Sequence, residues 1–149
     1  FAAGAGAHVL GVCYGMQLLV QTLGGAVEPG VRQEYGDMEV EVTAPSSALY
    51  GEDGKRQSVW MSHGDEVVRL PEGFEVVARS VQGAIAAIEH REKRFYGLQY
   101  HPEVATIYCF IMSCYLKWMN DWEPSAVQLV PLAVLGKQSF STVSICHFG

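Results

Sequence analysis

Charge is sparse in this chain, and positive charge is sparser than negative. Ten Lys and Arg stand against 16 Asp and Glu, for a formal net charge of −6, and charged residues make up 17% of the total. Without a basic excess the surface has no ready means of neutralising phosphates, so nucleic acid is not expected as a partner. The N-terminal residues lack a basic region followed by a long apolar run, which argues against a signal peptide. No uninterrupted apolar stretch approaches the roughly 18 residues of a membrane span, so no membrane partner is expected. The four cysteines, Cys13, Cys109, Cys114 and Cys146, include no C-x-x-C pair. That argues against a disulfide or zinc framework, predicts no metal site, and favours a reducing, cytoplasmic setting. No internal repeat is visible. The chain opens on Phe1 and reaches its first methionine only at Met16, so it is expected to be a piece of something longer. What it does have is apolar content, 49% of 149 residues, enough for the core of one domain.

Three stretches differ in character. Residues 1–7 are a small-residue lead-in without pattern. Residues 8–104 read as an ordered α/β unit. Val9 to Val12 is a short apolar run suited to a buried strand, and it ends at Gly11-Val12-Cys13-Tyr14-Gly15. A helix should follow, carrying Met16, Leu19, Val20 and Leu23 at helical spacing and stopping at Gly24-Gly25. Met38 to Val42 alternates as a strand does. Ser58 to Met61 and Glu75 to Ala78 are further strands, bounded by loop residues such as Gly64, Pro71 and Gly73. Ala84 to Glu89 and Phe95 to Tyr100 form a final pair across the charged turn at 90–94, and Pro102 stops the last strand. Residues 105–149 form a divergent apolar tail. Ile107, Phe110, Ile111, Cys114 and Trp118 keep helical spacing there, Gln128 to Leu135 is an apolar run broken by Pro131, and Ser139 to Gly149 has no clear pattern.

The chemistry concentrates at two points. A strand running into G-x-C-x-G and then a helix is the thiol form of a nucleophile elbow. The tight turn needs glycine at 11 and 15, and it sets the Cys13 sulfur beside the unsatisfied N–H groups that begin the helix. The backbone N–H of Tyr14 can supply half of an oxyanion hole. Taken alone, the pentapeptide fits equally well a small buried cysteine in a glycine-punctuated turn. The second point is His101, delivered to the end of a strand. A thiol nucleophile needs a base within reach and a third group to orient it. Pro102 holds the backbone between His101 and Glu103, so that the carboxylate can turn back to the imidazole.

Gly11-Val12-Cys13-Tyr14-Gly15-Met16-Gln17 and Tyr100-His101-Pro102-Glu103-Val104, in that order, resemble the two motifs of the class I glutamine amidotransferases. The stretches Val59-Trp60-Met61-Ser62-His63-Gly64-Asp65 and Glu92-Lys93-Arg94-Phe95-Tyr96-Gly97-Leu98-Gln99 resemble the GMP synthetase branch of that family. The resemblance covers about residues 8–104. It implies an α/β fold, a flavodoxin-like mixed sheet with flanking helices. It also implies a glutaminase in which Cys13, His101 and Glu103 are catalytic. Cys13 would form a γ-glutamyl thioester, His101 would move the protons, and Glu103 would orient it. Gly11, Tyr14, Gln17, Ser62 and His63 would contact the substrate glutamine, Ser62 and His63 from a loop and partly through backbone groups. No cofactor is implied for this domain. The ammonia would pass to an ATP-pyrophosphatase (synthetase) domain that uses ATP and Mg to convert XMP to GMP.

The sequence departs from the family pattern in three ways. Nothing before His8 resembles the family's first strand, its Asp-x-Gly-x-Gln-like segment or its Gly-Gly oxyanion loop, so the N-terminal strands are expected to be missing and a sheet edge left uncovered. After Val104 the polar stretch and packing helix of the family have no counterpart. No Ser-Gly-Gly-x-Asp-Ser-like pyrophosphate loop is present, so the chain alone is not expected to make GMP. Two alternatives stay open at this point: a catalytically impaired fragment or regulatory pseudo-enzyme, and a γ-glutamyl hydrolase on the same fold.

Overall fold

In the computed structural model, residues 8–44, 46–50, 55–102, 104, 127–131 and 144–148 are described. The first apolar run forms β1 (His8–Val12), and the chain turns at Cys13 directly into α1 (Tyr14–Thr22). Then come β2 (Ala26–Val42), β3 (Arg56–Arg69), β4 (Glu75–Ser80), β5 (Ile85–His90), β6 (Phe95–Leu98), β7 (Val127–Pro131) and β8 (Ser144–Phe148). All eight strands join one sheet in the order β3-β2-β4-β5-β6-β1-β8-β7. The sheet is mixed: β1 runs parallel to β6, and the other pairings are antiparallel. Only one helix occurs among the described residues, and none there is long and apolar enough to cross a membrane.

α1 lies on the sheet because two glycines let it approach. Gly11 and Gly97 are partners across β1 and β6. A Cβ on Gly11 would sit 2.6 Å from the carbonyl oxygen of Gly15, and one on Gly97 would sit 2.8 Å from the side chain of Met16. Met16 and Val20 are fully buried and pack with Val9, Ile88 and Phe95, each such side chain contributing roughly 1.5–3 kcal/mol. A second cluster gathers Val40, Val59, Met61, Val77, Leu98 and Tyr100 from the other strands.

Four expectations need correction. β2 begins at Ala26, not near Met38, because Pro29 does not end it. Pro29 pairs with Asp65 and Glu34 with His63, so residues 30–33 bulge out opposite Gly64, and an irregularity of this kind tolerates proline. The 62–65 stretch, expected as a loop, lies inside β3. Long-range pairing with the first half of β2 holds it in the ladder. The patternless end of the chain contains β8, and the broken apolar run before it contains β7. The β1 edge, expected bare, is covered: β8 pairs antiparallel with it from His8↔Phe148 to Gly11↔Ile145. The backbone groups of an open edge are satisfied by any strand in register, whatever its sequence pattern. The helical spacing in residues 107–118 lies outside the described residues.

Candidate active site

Cys13 sits at the N-cap of α1 with φ 52° and ψ −110°, a conformation that a non-glycine residue keeps only when its surroundings force it. Two constraints do so. Its N–H donates to the Leu98 carbonyl at 2.7 Å, and its own carbonyl accepts from Met16 at 3.1 Å and Gln17 at 3.3 Å. The side chain is thereby aimed away from the ladder at the start of the helix. α1 has no side-chain cap and no acidic residue in its first turn, so the positive end of its dipole faces the cysteine uncompensated.

The buried thiol touches two elements. Its Sγ lies 3.7 Å from the Ser62 carbonyl on β3 and 3.9 Å from Nε2 of Gln99, just past β6. His101 reaches the same part of β3: its N–H donates to the Trp60 carbonyl at 2.9 Å, and the two residues form an antiparallel bridge. Trp60 and Ser62 lie on one face of β3, since Val59, Met61 and His63 alternate inward. The Trp60–Ser62 segment is therefore the common neighbour of Cys13 and His101. Glu103 lies outside the described residues.

The remaining expected residues divide. Gly11 underlies the elbow, as the 2.6 Å approach requires. Tyr14 is exposed, and its N–H belongs to the first turn, where no intrahelical acceptor exists. Gln17 is buried, donating through Nε2 to the Asp65 carbonyl at 3.0 Å and to Gln99 Oε1 at 3.2 Å. The Ser62 side chain is exposed, and only its carbonyl is placed on the sulfur. His63 points into the protein. Its Nδ1 meets the Asp65 carbonyl at 2.9 Å and its Nε2 meets Glu34 at 3.1 Å. The Asp65 oxygen can only accept, so Nδ1 carries a hydrogen, and a further proton is shared with the Glu34 carboxyl. The Ser80 hydroxyl donates to the other Glu34 oxygen at 2.5 Å and accepts from the Ala84 N–H at 3.1 Å.

Sequence reasoning overlooked Gln99, Glu34 and the Asp65 carbonyl. Gln99 carried a signal, being the polar residue within the apolar run 95–100, and a buried polar group implies a partner. Glu34 carried none, because its partner His63 is 29 positions away across the bulge. Beneath His101, Tyr100 is buried with its hydroxyl 2.9 Å from that of Tyr50. Burial raises the pKa of both phenols above the ordinary value of 10.0. Among the described residues no cluster of metal-binding side chains occurs.

A strained cysteine between a buried strand and an uncapped helix, on a mixed sheet, defines a class, and the comparisons agree with it. The class-I glutamine amidotransferase family model matches residues 2–106, and the chain belongs to this family. Within it, the chain is 52% identical over 99 residues to the glutamine-hydrolyzing GMP synthase of Lacticaseibacillus rhamnosus, a match that spans 66% of this chain and 19% of that protein. The corresponding enzyme of Streptomyces coelicolor is 51% identical over 100 residues, 67% of this chain and 19% of that protein. The chain thus spans about a fifth of the length of these relatives. A solved GMP synthase component from Thermoplasma acidophilum superposes with a TM-score of 0.66 at 28% identity, covering 74% of this chain and 55% of that one. A glutamine amidotransferase from Thermotoga maritima gives 0.58 at 28% identity, covering 75% and 46%.

Proposed function

We propose that this chain is the glutaminase part of a GMP synthase, hydrolysing the side-chain amide of glutamine and passing the ammonia to a synthetase domain. The observation that carries the reading is the elbow at Cys13: a strained cysteine at an uncompensated helix N-terminus, beside the β3 segment that also binds the backbone of His101. In this mechanism the Cys13 thiolate attacks the glutamine Cδ, and the developing oxyanion is met by the Tyr14 N–H. His101 donates a proton to the leaving nitrogen and ammonia departs, leaving a γ-glutamyl thioester. His101 then takes a proton from water, which attacks the thioester and releases glutamate and the thiolate. Glu103 orients His101. Gln17, Gly11 and the 62–63 backbone line the substrate site. The reaction draws on no cofactor in this chain, whereas ATP and Mg serve the synthetase partner in converting XMP to GMP. The relatives' names and their identity of about one half over this region support the assignment to that pathway.

The test sets residues 8–104 into the glutamine amidotransferase part of a relative, to supply the flanking segments, and measures glutamate release and the acid-quenched protein by mass spectrometry. A γ-glutamyl adduct is expected on the peptide bearing Cys13. Cys13→Ala should bring activity to background, at least about 1,000-fold down, with His101→Ala more damaging than Glu103→Ala. Glutamate release that survives Cys13→Ala would sink the covalent mechanism.

A further inference from the structure

The hydrogen bonds that reach the Cys13 sulfur have only one consistent polarity. The Asp65 carbonyl oxygen can only accept, so the Gln17 atom 3.0 Å from it is the amide nitrogen. That nitrogen also lies 3.2 Å from Gln99, and the atom of Gln99 facing a donor must be its oxygen. The nitrogen of Gln99 is thereby turned to Cys13, 3.9 Å from Sγ. A backbone carbonyl thus dictates, through two side-chain amides, that an N–H points at the sulfur. The arrangement is closed to water: Gln99 is 1% exposed and Gln17 6%. The Gln99 backbone N–H is tied to the Ala86 carbonyl at 2.9 Å, so the side chain hangs from a fixed strand end. On its other side the sulfur meets the Ser62 carbonyl at 3.7 Å, which can receive an S–H but repels an anion. The two neighbours act in opposite senses, and only Gln99 favours the charged form. In a dry site such a donor counts for more than it would in water.

We propose that Gln99 is a further catalytic residue, whose Nε2–H donates to Cys13 Sγ and stabilises the thiolate, with Gln17 and the Asp65 carbonyl fixing its orientation. The proposal rests on the glutaminase reading only in taking Cys13 as the nucleophile. Its test needs no glutamine. In the 149-residue chain, the rate of Cys13 alkylation by iodoacetamide is followed across pH by peptide mapping. Gln99→Met keeps the shape and removes the donor. It should slow alkylation roughly fivefold at neutral pH, displace the rate-against-pH curve to higher pH, and leave its alkaline plateau unchanged. Gln99→Glu keeps an oxygen for Gln17 but sets a second oxygen against the sulfur, and should slow the reaction further. If Gln99→Met does not fold, Gln99→Glu carries the test, because its anchor to Gln17 persists. Profiles that superpose on the unsubstituted chain would overturn the proposal, as would a lowered plateau with no displacement, the mark of a merely structural role. A separate result bears on the nucleophile itself: Cys13 reacting no faster than Cys109, Cys114 or Cys146 would overturn the glutaminase reading.

Discussion

Two buried polar clusters meet at the carbonyl of Asp65, one around Glu34 and one around Cys13. Around Glu34, both carboxylate oxygens, both ring nitrogens of His63 and the Ser80 hydroxyl have partners within 3.1 Å. The ion-pair side chains are 2% and 0% exposed. Around Cys13 the sulfur has contacts of 3.7 and 3.9 Å with groups of opposite preference, and its backbone sits at φ 52°. A saturated network inside a low-dielectric core holds a structure in one arrangement. A strained residue with a weakly contacted sulfur withholds stability so that an atom stays available for reaction. The first cluster is read as scaffold and the second as the working site, with the Asp65 oxygen coupling them.

The largest expected effect would break that comparison at the scaffold end. Glu34→Leu leaves His63 and Ser80 without their acceptor in a sealed interior, and should lower the unfolding free energy by about 3–5 kcal/mol in urea titrations. A loss under about 1 kcal/mol would show that the Glu34 cluster is not the scaffold. Replacing His63 by Leu as well should recover part of the loss, since a matched apolar pair removes the orphaned groups.

A smaller effect comes from the tyrosine pair beneath His101. Tyr50 and Tyr100 hold their protons above the ordinary phenol value of 10.0 because burial disfavours the phenolates. The unfolded chain releases those protons from about pH 10 upward while the folded chain keeps them. Their stabilisation is therefore complete below pH 10 and is lost as pH rises beyond it. At pH 11 each should account for about 1.4 kcal/mol of lost stability. Tyr50→Phe should reduce the difference between urea midpoints at pH 8 and pH 11, and an unchanged difference would refute this account.

The smallest effect has the opposite sign and sharpens the comparison at the working site. Cys13→Gly relieves the left-handed backbone and gives up a small buried side chain, and should raise stability by about 1 kcal/mol. A clear loss in the same urea titration would mean that the elbow is not strained, and the contrast with Glu34 would fail.

The local pattern around the nucleophile was legible from the residues alone. A short apolar run into Gly11-Val12-Cys13-Tyr14-Gly15 can hardly be anything but a strand, a tight turn and a helix, and α1 ends one residue before Leu23. The pairing of the last two body strands across the 90–94 turn was equally plain, as β5 and β6 are antiparallel neighbours. β3 shows where legibility thins. Val59, Met61 and His63 alternate inward in strict period, so His63 could have been placed inside, but the glycine and aspartate after it imitate a loop.

What the sequence determined by itself is therefore short-range: the elbow, the residue types that can act there, and the strand that carries His101, because each depends on neighbours a few positions apart. Only the tertiary structure decided that Glu34 would face His63, that Asp65 would offer its carbonyl to Gln17, and that Gln99 would turn its nitrogen to the sulfur. It alone decided that β8 would close the β1 edge. Those contacts join residues far apart in the chain, and their geometry follows from strand register and a four-residue bulge. A shift of one residue in register would send each of these side chains to the other face of the sheet.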